Sequence, residues 1–543
     1  MSTETHTRKH ENIVRAIDGL HKNERNRIVY WEGKLRKEKK FNEFHTDLQL
    51  TLKKLETLIA RYNPKNVSII GATCYEWLLI DVASIYVGLV VHAIPETVSC
   101  DEYVRLMLDC EIDLQFGHVD CVNRLPQSSS LIFFGARDDS ECNHLDDVSL
   151  SPIRGPRSVS GPYYSYAFSS GTQGKQKVLK LPYPDLASSK GKLGRSDTER
   201  GGGDLDSIFI WMSFSHYLQR WFSLQALYFG FDLIISNTKD SVINIIRERP
   251  TVMASAAVLY EMIASSAERK ISKLRIDARI ALDVYNFLKI NRLHYRNPIK
   301  RLFNSIYFKG LVELYGGRPE QFIWSGSCIK IDALRILDRI GLQVCGGYAL
   351  SELGPISTDS RKSFRIGSVG KPAHRLKISG DGEILVKWSN NMRDASHLLI
   401  DDDGYVHTGD QGYLDEDGYL YVQGRMDDII VLSSGKNVIP TELEEKLVSC
   451  AGISNAIVHS TNNLYLEAVL EIKDIVERDS VARAAVMALN SRVRDYEKIT
   501  SIRILDDFRS IDGAITPSEK IKRRALINAA FNGQAISIMK LHQ

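Results

Sequence analysis

Short apolar runs separated by polar or glycine-bearing breaks recur along the chain, and their lengths sort them into strands and helices. Residues 67–71 (Val-Ser-Ile-Ile-Gly) predict a buried strand, and the apolar stretch 76–91 is long enough for a packed helix. Residues 131–134 (Leu-Ile-Phe-Phe) predict a further strand, and this alternation points to an α/β sheet. The rhythm returns at 331–340, where Leu334, Leu337 and Ile340 share one helical face and Gly341 supplies the stop. Residues 342–345 then predict a strand running into Gly346 and Gly347. Segments 183–206 and 387–403 are polar connections, and no internal repeat interrupts the pattern. The basic run 34–40, interleaved with Glu38, reads as a solvated helix face.

Beyond residue 424 the texture changes. A short apolar strand at 429–432 follows Asp427 and Asp428, and Thr441 to Glu444 has the spacing of a capping box, with Glu444 reaching back to the Thr441 amide. Leu443 and Leu447 continue at helical spacing. Enough strands and helices remain for a separate small α/β lobe, which places a boundary near Gly424–Asp428.

Composition narrows the class. Of 543 residues, 43% are hydrophobic and 25% charged, a globular balance, and the net charge of +3 argues against nucleic acid as a partner. The eight cysteines, scattered and without a CxxC pair, exclude a disulfide scaffold or a zinc ribbon and suit a reducing, cytoplasmic setting. The opening Met-Ser-Thr-Glu-Thr-His lacks the apolar run of an export signal. The most apolar stretch, 77–95, is broken by Asp81 and its uncharged part falls short of the roughly 20 residues of a membrane helix, so it reads as buried core.

Four segments carry chemistry. Phe168 to Lys177 (Phe-Ser-Ser-Gly-Thr-Gln-Gly-Lys-Gln-Lys) combines hydroxyls, two glycines and two lysines, the means to hold a polyphosphate. Its glycine spacing is not that of a Walker loop, and the alternation at 178–181 predicts a strand after it where a Walker loop feeds a helix. A polar hairpin tip is the competing reading. Gly346 to Glu352 (Gly-Gly-Tyr-Ala-Leu-Ser-Glu) offers a ring to stack on a base, a hydroxyl for phosphate and a carboxylate for Mg²⁺; a strand and turn around a buried tyrosine explains it nearly as well. Asp410 and Arg425, with Ser434 to Val438 beyond them, suit ribose and phosphate or ordinary turns. Thr516 to Arg524 reads as a solvated basic helix start or a localisation patch. Fourteen histidines show no HExxH or clustered metal spacing.

In this order, over about Val67 to Arg524, the segments resemble the adenylate-forming superfamily of acyl-CoA synthetases, luciferases and adenylation domains. Gly424 to Pro440, Met212 to Arg220 and Arg249 to Met253 lean towards long-chain fatty acyl-CoA synthetases. No Asp stands at 211–216, where amino-acid adenylation domains usually carry one.

The resemblance implies an α/β fold: a large N-terminal domain of several subdomains (1–424) and a small mobile lobe (425–543). It implies ATP-dependent conversion of a carboxylic acid, of fatty-acid type, to an acyl-adenylate with release of pyrophosphate, then transfer to the thiol of coenzyme A. The rivals are transfer to a carrier protein's phosphopantetheine and a relative that binds without turnover.

Carried over by position, Ser169, Ser170, Gly171, Thr172, Gln173, Gly174 and Lys177 match the loop over the β- and γ-phosphates. Gly347 and the adenine-stacking Tyr348 follow, with Ser351 for phosphate and Glu352 for Mg²⁺. Asp410 and Arg425 match the ribose contacts, and Lys520 the catalytic lysine. His216, Ser325, Gly326, Ser327 and Ala349 border the acyl pocket; Asp427 matches the hinge, and Gly435 and Lys436 the thiol-side loop. Expected partners are a small carboxylic acid and, in the first rival, a carrier protein; monomer and homodimer both stay open, as does placement at a membrane surface. Departures at Gln173, Gln176, Val178 and Glu519 leave the charge logic intact. Ser327, Cys328 and Ile329 stand where Gly-Ala-Pro is usual, and Ala349 replaces a glycine, which leaves room for medium-chain, branched or aromatic acids.

Overall fold

The structure is a computed structural model. It describes all residues except 1–2, 97, 127, 136–142, 158, 160, 171–175, 187–205, 275–278, 281, 283–308, 351, 362, 390–397, 435, 473–476, 516–520 and 542–543, and gives backbone only at 3–5, 169, 170, 176, 177, 309, 427, 431 and 437. Two compact units result. The first comprises 1–355, 359–366 and 389–397; the second comprises 356–358, 367–388 and 398–543.

The first unit holds two sheets. One orders its strands Leu131–Phe134, Leu114–His118, Asn66–Ile70, Val90–Ile94, Tyr163–Ser170 and Gln176–Pro182, parallel except for the final pair. The other runs through Val344–Leu350, Gln321–Ser325, Val252–Ser255, Ser207–Ile210, Asp232–Ile235, Arg27–Glu32 and Leu35–Lys40, again parallel until the last pair. Parallel strands are buried on both faces, hence the unbroken Val/Ile/Phe runs. One apolar core unites Val67, Ile69, Val91 and Ala93 of the first sheet with Ile208, Ile210, Leu233 and Ala254 of the second. Helices Phe41–Tyr62, Tyr75–Tyr86 and Tyr217–Phe229 contribute Leu48, Leu55, Trp77 and Phe222 to it. Each such buried side chain contributes about 1.5–3 kcal/mol.

The second unit holds an antiparallel sheet of Leu376–Ile378, Glu383–Lys387, Tyr405–Leu414 and Leu420–Arg425. A further sheet orders Ile453–His459, Leu466–Ile472, Ile499–Leu505 and Ser537–Lys540. Helices Pro440–Val448 and Arg478–Asn490 share one apolar cluster with that sheet, and helix Arg523–Phe531 shares another.

Five expectations need correction. The helix expected over 76–91 spans Tyr75–Tyr86, and a strand, Val90–Ile94, follows the left-handed Gly88. The glycine pair lies inside strand Val344–Leu350 rather than after it. The strand expected at 429–432 shortens to Ile430–Val431. The basic run forms the edge strand Leu35–Lys40, not a helix face. Glu444 does not cap its helix: Ile439 is the N-cap, Pro440 opens the helix, and Glu444 accepts from the Val458 amide and Arg523. The Thr441 hydroxyl donates to the Gln423 carbonyl instead. Among the described residues no helix is long and apolar enough to cross a membrane.

Candidate functional site

In open parallel sheets ligands gather outside the carboxyl ends of the strands. Strands Gln321–Ser325 and Val344–Leu350 are adjacent and parallel, with Ser325 in register with Gly347. The predicted acyl-pocket segment and the predicted nucleotide segment are therefore neighbours. Gly347 suits this closeness, because a Cβ there would stand 3.1 Å from Ile323 Cγ2 and press on that side chain. Gly326 turns the chain away with a φ of +86°. Tyr348 is buried, while Ser327, Ala349 and Glu352 are half-buried. Ser351 lies outside the described residues.

Sequence reasoning passed over a buried group beneath this segment. The Asp359 amide donates to the Gly346 carbonyl at 2.8 Å, and its carboxylate accepts from the Ser360 and Arg365 amides and the Ser363 hydroxyl. Burial pushes the Asp359 carboxyl up despite these donors. Only the short spacing of Asp359, Ser360 and Ser363 hinted at such a turn.

The phosphate-loop candidate resolves one alternative. Strand Tyr163–Ser170 pairs antiparallel with Gln176–Pro182, placing Ser169 opposite Lys177, so the segment is a hairpin whose far arm is the strand expected at 178–181. Of its candidates, Gly171, Thr172, Gln173 and Gly174 lie outside the described residues, and Ser169, Ser170 and Lys177 are described by backbone alone.

The near arm of that hairpin is anchored from below. Arg220, on helix Tyr217–Phe229, donates through Nε to Asp81 Oδ2 at 3.0 Å and pairs through Nη2 with Asp81 Oδ1. It also donates to the Ser165 hydroxyl, which itself donates to the Val91 carbonyl at 2.5 Å. Trp77 and Tyr164 rings lie 5.6 and 5.3 Å from the guanidinium. Burial pushes the Asp81 carboxyl up, and the adjacent guanidinium opposes it. His216, half-buried, is the N-cap residue of the same helix. One ion pair thus ties the helix beginning at His216 to the strand that leads into the candidate phosphate loop.

In the second unit Asp410 and Arg425 are register partners on adjacent strands, and Arg425 Nη1 donates to Asp410 Oδ1 at 2.9 Å. Asp410 is buried and Arg425 partly exposed, so the pair sets a fixed charge and a planar guanidinium at the edge of this sheet. Glu383 organises the turn before them: one oxygen accepts from the Gly409 amide and the other engages His407 Nδ1, each at 2.8 Å. Gly409 sits at φ +68°, with Arg425 packed where a side chain would start. Sequence reasoning missed Glu383, whose one signal was its place between Gly382 and a strand.

Ile430–Val431 and Asn437–Val438 pair as a small hairpin with exposed Lys436 near its tip. Asp427 belongs to a single helical turn, Met426–Asp428. Gly435 and Lys520 lie outside the described residues. Among the described residues no three His, Cys, Asp or Glu side chains gather around a metal position. The Glu352 carboxylate, engaged by no hydrogen bond or ion pair among the described residues, is an oxygen donor of the kind Mg²⁺ takes alongside substrate phosphates.

The model of the AMP-binding enzyme family matches residues 59–393. The long-chain-fatty-acid–CoA ligase FadD15 of Mycobacterium bovis is 26% identical over 518 residues, covering 85% of this chain and 86% of that one. The long-chain-fatty-acid–CoA ligase ACSBG2 of Gallus gallus is 23% identical, covering 88% and 69%. Among solved structures, O-succinylbenzoate coenzyme A synthetase of Bacillus subtilis with AMP superposes at a TM-score of 0.68, with 18% identity, covering 94% of this chain and 97% of that one. The adenylation domain of a Mycobacterium chelonae carboxylate reductase superposes at 0.73, with 14% identity, covering 96% and 90%.

Proposed function

Because the chain belongs to the AMP-binding enzymes, we propose that it joins a fatty acid to coenzyme A through an acyl-adenylate. The observation that carries this reading is the register pairing of Ser325, the last residue of its strand, with Gly347 inside the neighbouring parallel strand. It lets an acid and a nucleotide meet at one place. The relatives named as long-chain-fatty-acid–CoA ligases, matched along most of both chains, support the acid class and the thiol.

In the first step a carboxylate oxygen bonds the α-phosphorus of ATP, the bond to the bridging oxygen breaks, and pyrophosphate leaves. Tyr348 stacks on the base, and Asp410 and Arg425 hold the ribose. The hydroxyls of Ser169, Ser170, Thr172 and Ser351 with Lys177 take the phosphates, and Lys520 bonds the reacting oxygens. These roles are mainly positioning and fixed charge, the terms that dominate such transfers. Glu352 is the residue that would hold Mg²⁺, which supplies charge neutralisation at the phosphates. In the second step the thiol sulfur bonds the acyl carbon, AMP departs and the thiol proton is released. Residues 425–543 then act as the moving lobe about Asp427, presenting Gly435 and Lys436 towards the thiol. Cytoplasmic residence belongs to the same reading. The added bulk at Ser327, Ile329 and Ala349 favours acids shorter or broader than a long straight chain.

ATP–pyrophosphate exchange over a panel of short to long fatty acids, aryl acids and amino acids, without thiol, tests this. Exchange confined to fatty acids and abolished by Lys520→Ala is the expected result. Exchange with amino acids alone would overturn the acid class, and a Lys520→Ala variant of near-normal rate would overturn the role of Lys520.

A further inference from the structure

The segment that carries Lys520 has a paired stem. The Lys522 amide donates to the Ala514 carbonyl at 2.7 Å, and Ile515 bridges Ile521 in antiparallel fashion. Helix Arg523–Phe531 starts at once, with Arg523 its first residue and no acidic residue in its first turn. A cation there faces the positive end of the helix dipole, so helix stability does not explain it. Its partners do. Arg523 Nη1 donates to Glu444 Oε1 at 2.5 Å and Nη2 donates to Glu444 Oε2, a forked pair. Nη1 also reaches the Val458 carbonyl at 3.4 Å, and Nε lies 3.6 Å from Asp428 Oδ2. Glu444 Oε1 accepts the Val458 amide as well, at 2.6 Å.

One side chain therefore joins the stem, helix Pro440–Val448, strand Ile453–His459 and the turn Met426–Asp428. A fork fixes orientation as well as distance, and a lysine cannot reproduce it. The Arg523 and Glu444 side chains are only 20% and 12% exposed, so salt screens the pair little.

Resting on the reading of Lys520 as the catalytic lysine, we infer that Arg523 is a positioning residue, binding the stem of the Lys520 segment to the turn that holds the hinge so that the two move as one piece. The stem then moves with the chain from Asp428 onward when the lobe swings, and rotation concentrates at Asp427.

Two variants test this. Arg523→Lys keeps the charge and removes the fork. Asp428→Asn, at a partly exposed position where folding is little affected, removes only the tie to the turn. Hydrogen exchange of the peptide spanning 514–523 should quicken roughly tenfold in Arg523→Lys and a few-fold in Asp428→Asn, with Leu466–Ile472 unchanged. In Arg523→Lys the rate constant of pyrophosphate exchange should fall roughly tenfold or more at steady KM for ATP. Thioester formation from supplied acyl-adenylate should stay within about twofold. An unaltered stem, or an equal fall in both half-reactions, overturns the inference. A wild-type protein that exchanges pyrophosphate with no acid refutes the functional reading instead, and the stem measurement, which needs no turnover, tells the two failures apart.

Discussion

Asp81→Ala should destabilise the first unit more than any surface change. The Asp81 and Arg220 side chains are 2% and 1% exposed, so removing the carboxylate leaves a cation in the core that donates to the neutral Ser165 hydroxyl and has lost its counter-charge. An uncompensated buried charge costs about 3–5 kcal/mol. Replacing both partners by apolar groups of similar size, Asp81→Leu with Arg220→Met, removes the charge with its counter-charge and should lie within about 1 kcal/mol of wild type. Guanidinium unfolding followed by tryptophan fluorescence suits the test, since five of the six tryptophans (Trp31, Trp77, Trp211, Trp221 and Trp324) belong to the first unit. The midpoint should fall sharply in the single variant and return in the double. A single variant costing under about 1 kcal/mol, or a double as damaged as the single, would refute the account of Arg220 as a paired, desolvated clamp.

Three further outcomes are expected. Arg425→Met should raise KM for ATP by roughly tenfold, the loss of a charged hydrogen bond, and should also lower the unfolding midpoint because the buried Asp410 carboxylate loses this donor; an unchanged KM in pyrophosphate exchange would remove Arg425 from the nucleotide site. Gly347→Val, which presses on Ile323, should cost about 1–3 kcal/mol and lower exchange activity, as thermal unfolding and the exchange assay would show. His92, fully buried, is held down at about 4 by burial, with the Arg220 charge adding to the effect and Asp113 opposing it. The unfolded chain therefore takes up its proton first, and stability falls between about pH 6.5 and 4 by about 1.4 kcal/mol per unit. His92→Gln should flatten that acid limb relative to wild type, and parallel limbs would count against the burial argument.

Much of the candidate site was legible in the chain because its chemistry is local. Gly346, Gly347 and Tyr348 lie consecutively, and the hairpin bearing the phosphate-loop candidate showed itself through the alternation at 178–181. What escaped depends on distant partners. Asp81 meets Arg220 and Glu444 meets Arg523 across long stretches of sequence, and a capping spacing at Thr441 concealed the second pair. The stretch 76–91 is mostly apolar, its polar breaks Asp81 and Ser84 falling inside the helix, so a buried helix and a buried parallel strand merge in the pattern and the left-handed Gly88 marks the division between them. Helix Thr3–Gly19 was overlooked for the opposite reason. Its buried stripe includes His6 and His10 beside Ile13, Val14 and Ile17, and histidines read as polar positions. His10 Nε2 is 2.8 Å from the Ile85 carbonyl.

The edge strand Leu35–Lys40 bears on how the protein behaves when concentrated. Three of its four cationic side chains meet acids within the same molecule: Arg36 with Glu248 and Glu38, Lys37 with Glu32, and Lys39 with Asp47. A stray strand arriving at that margin would encounter charges mostly paired already and would have to displace those pairings to join. Runaway strand addition between molecules is thereby discouraged. High ionic strength weakens these exposed pairings first, so crowded, salty solutions are where clumping through this margin would begin.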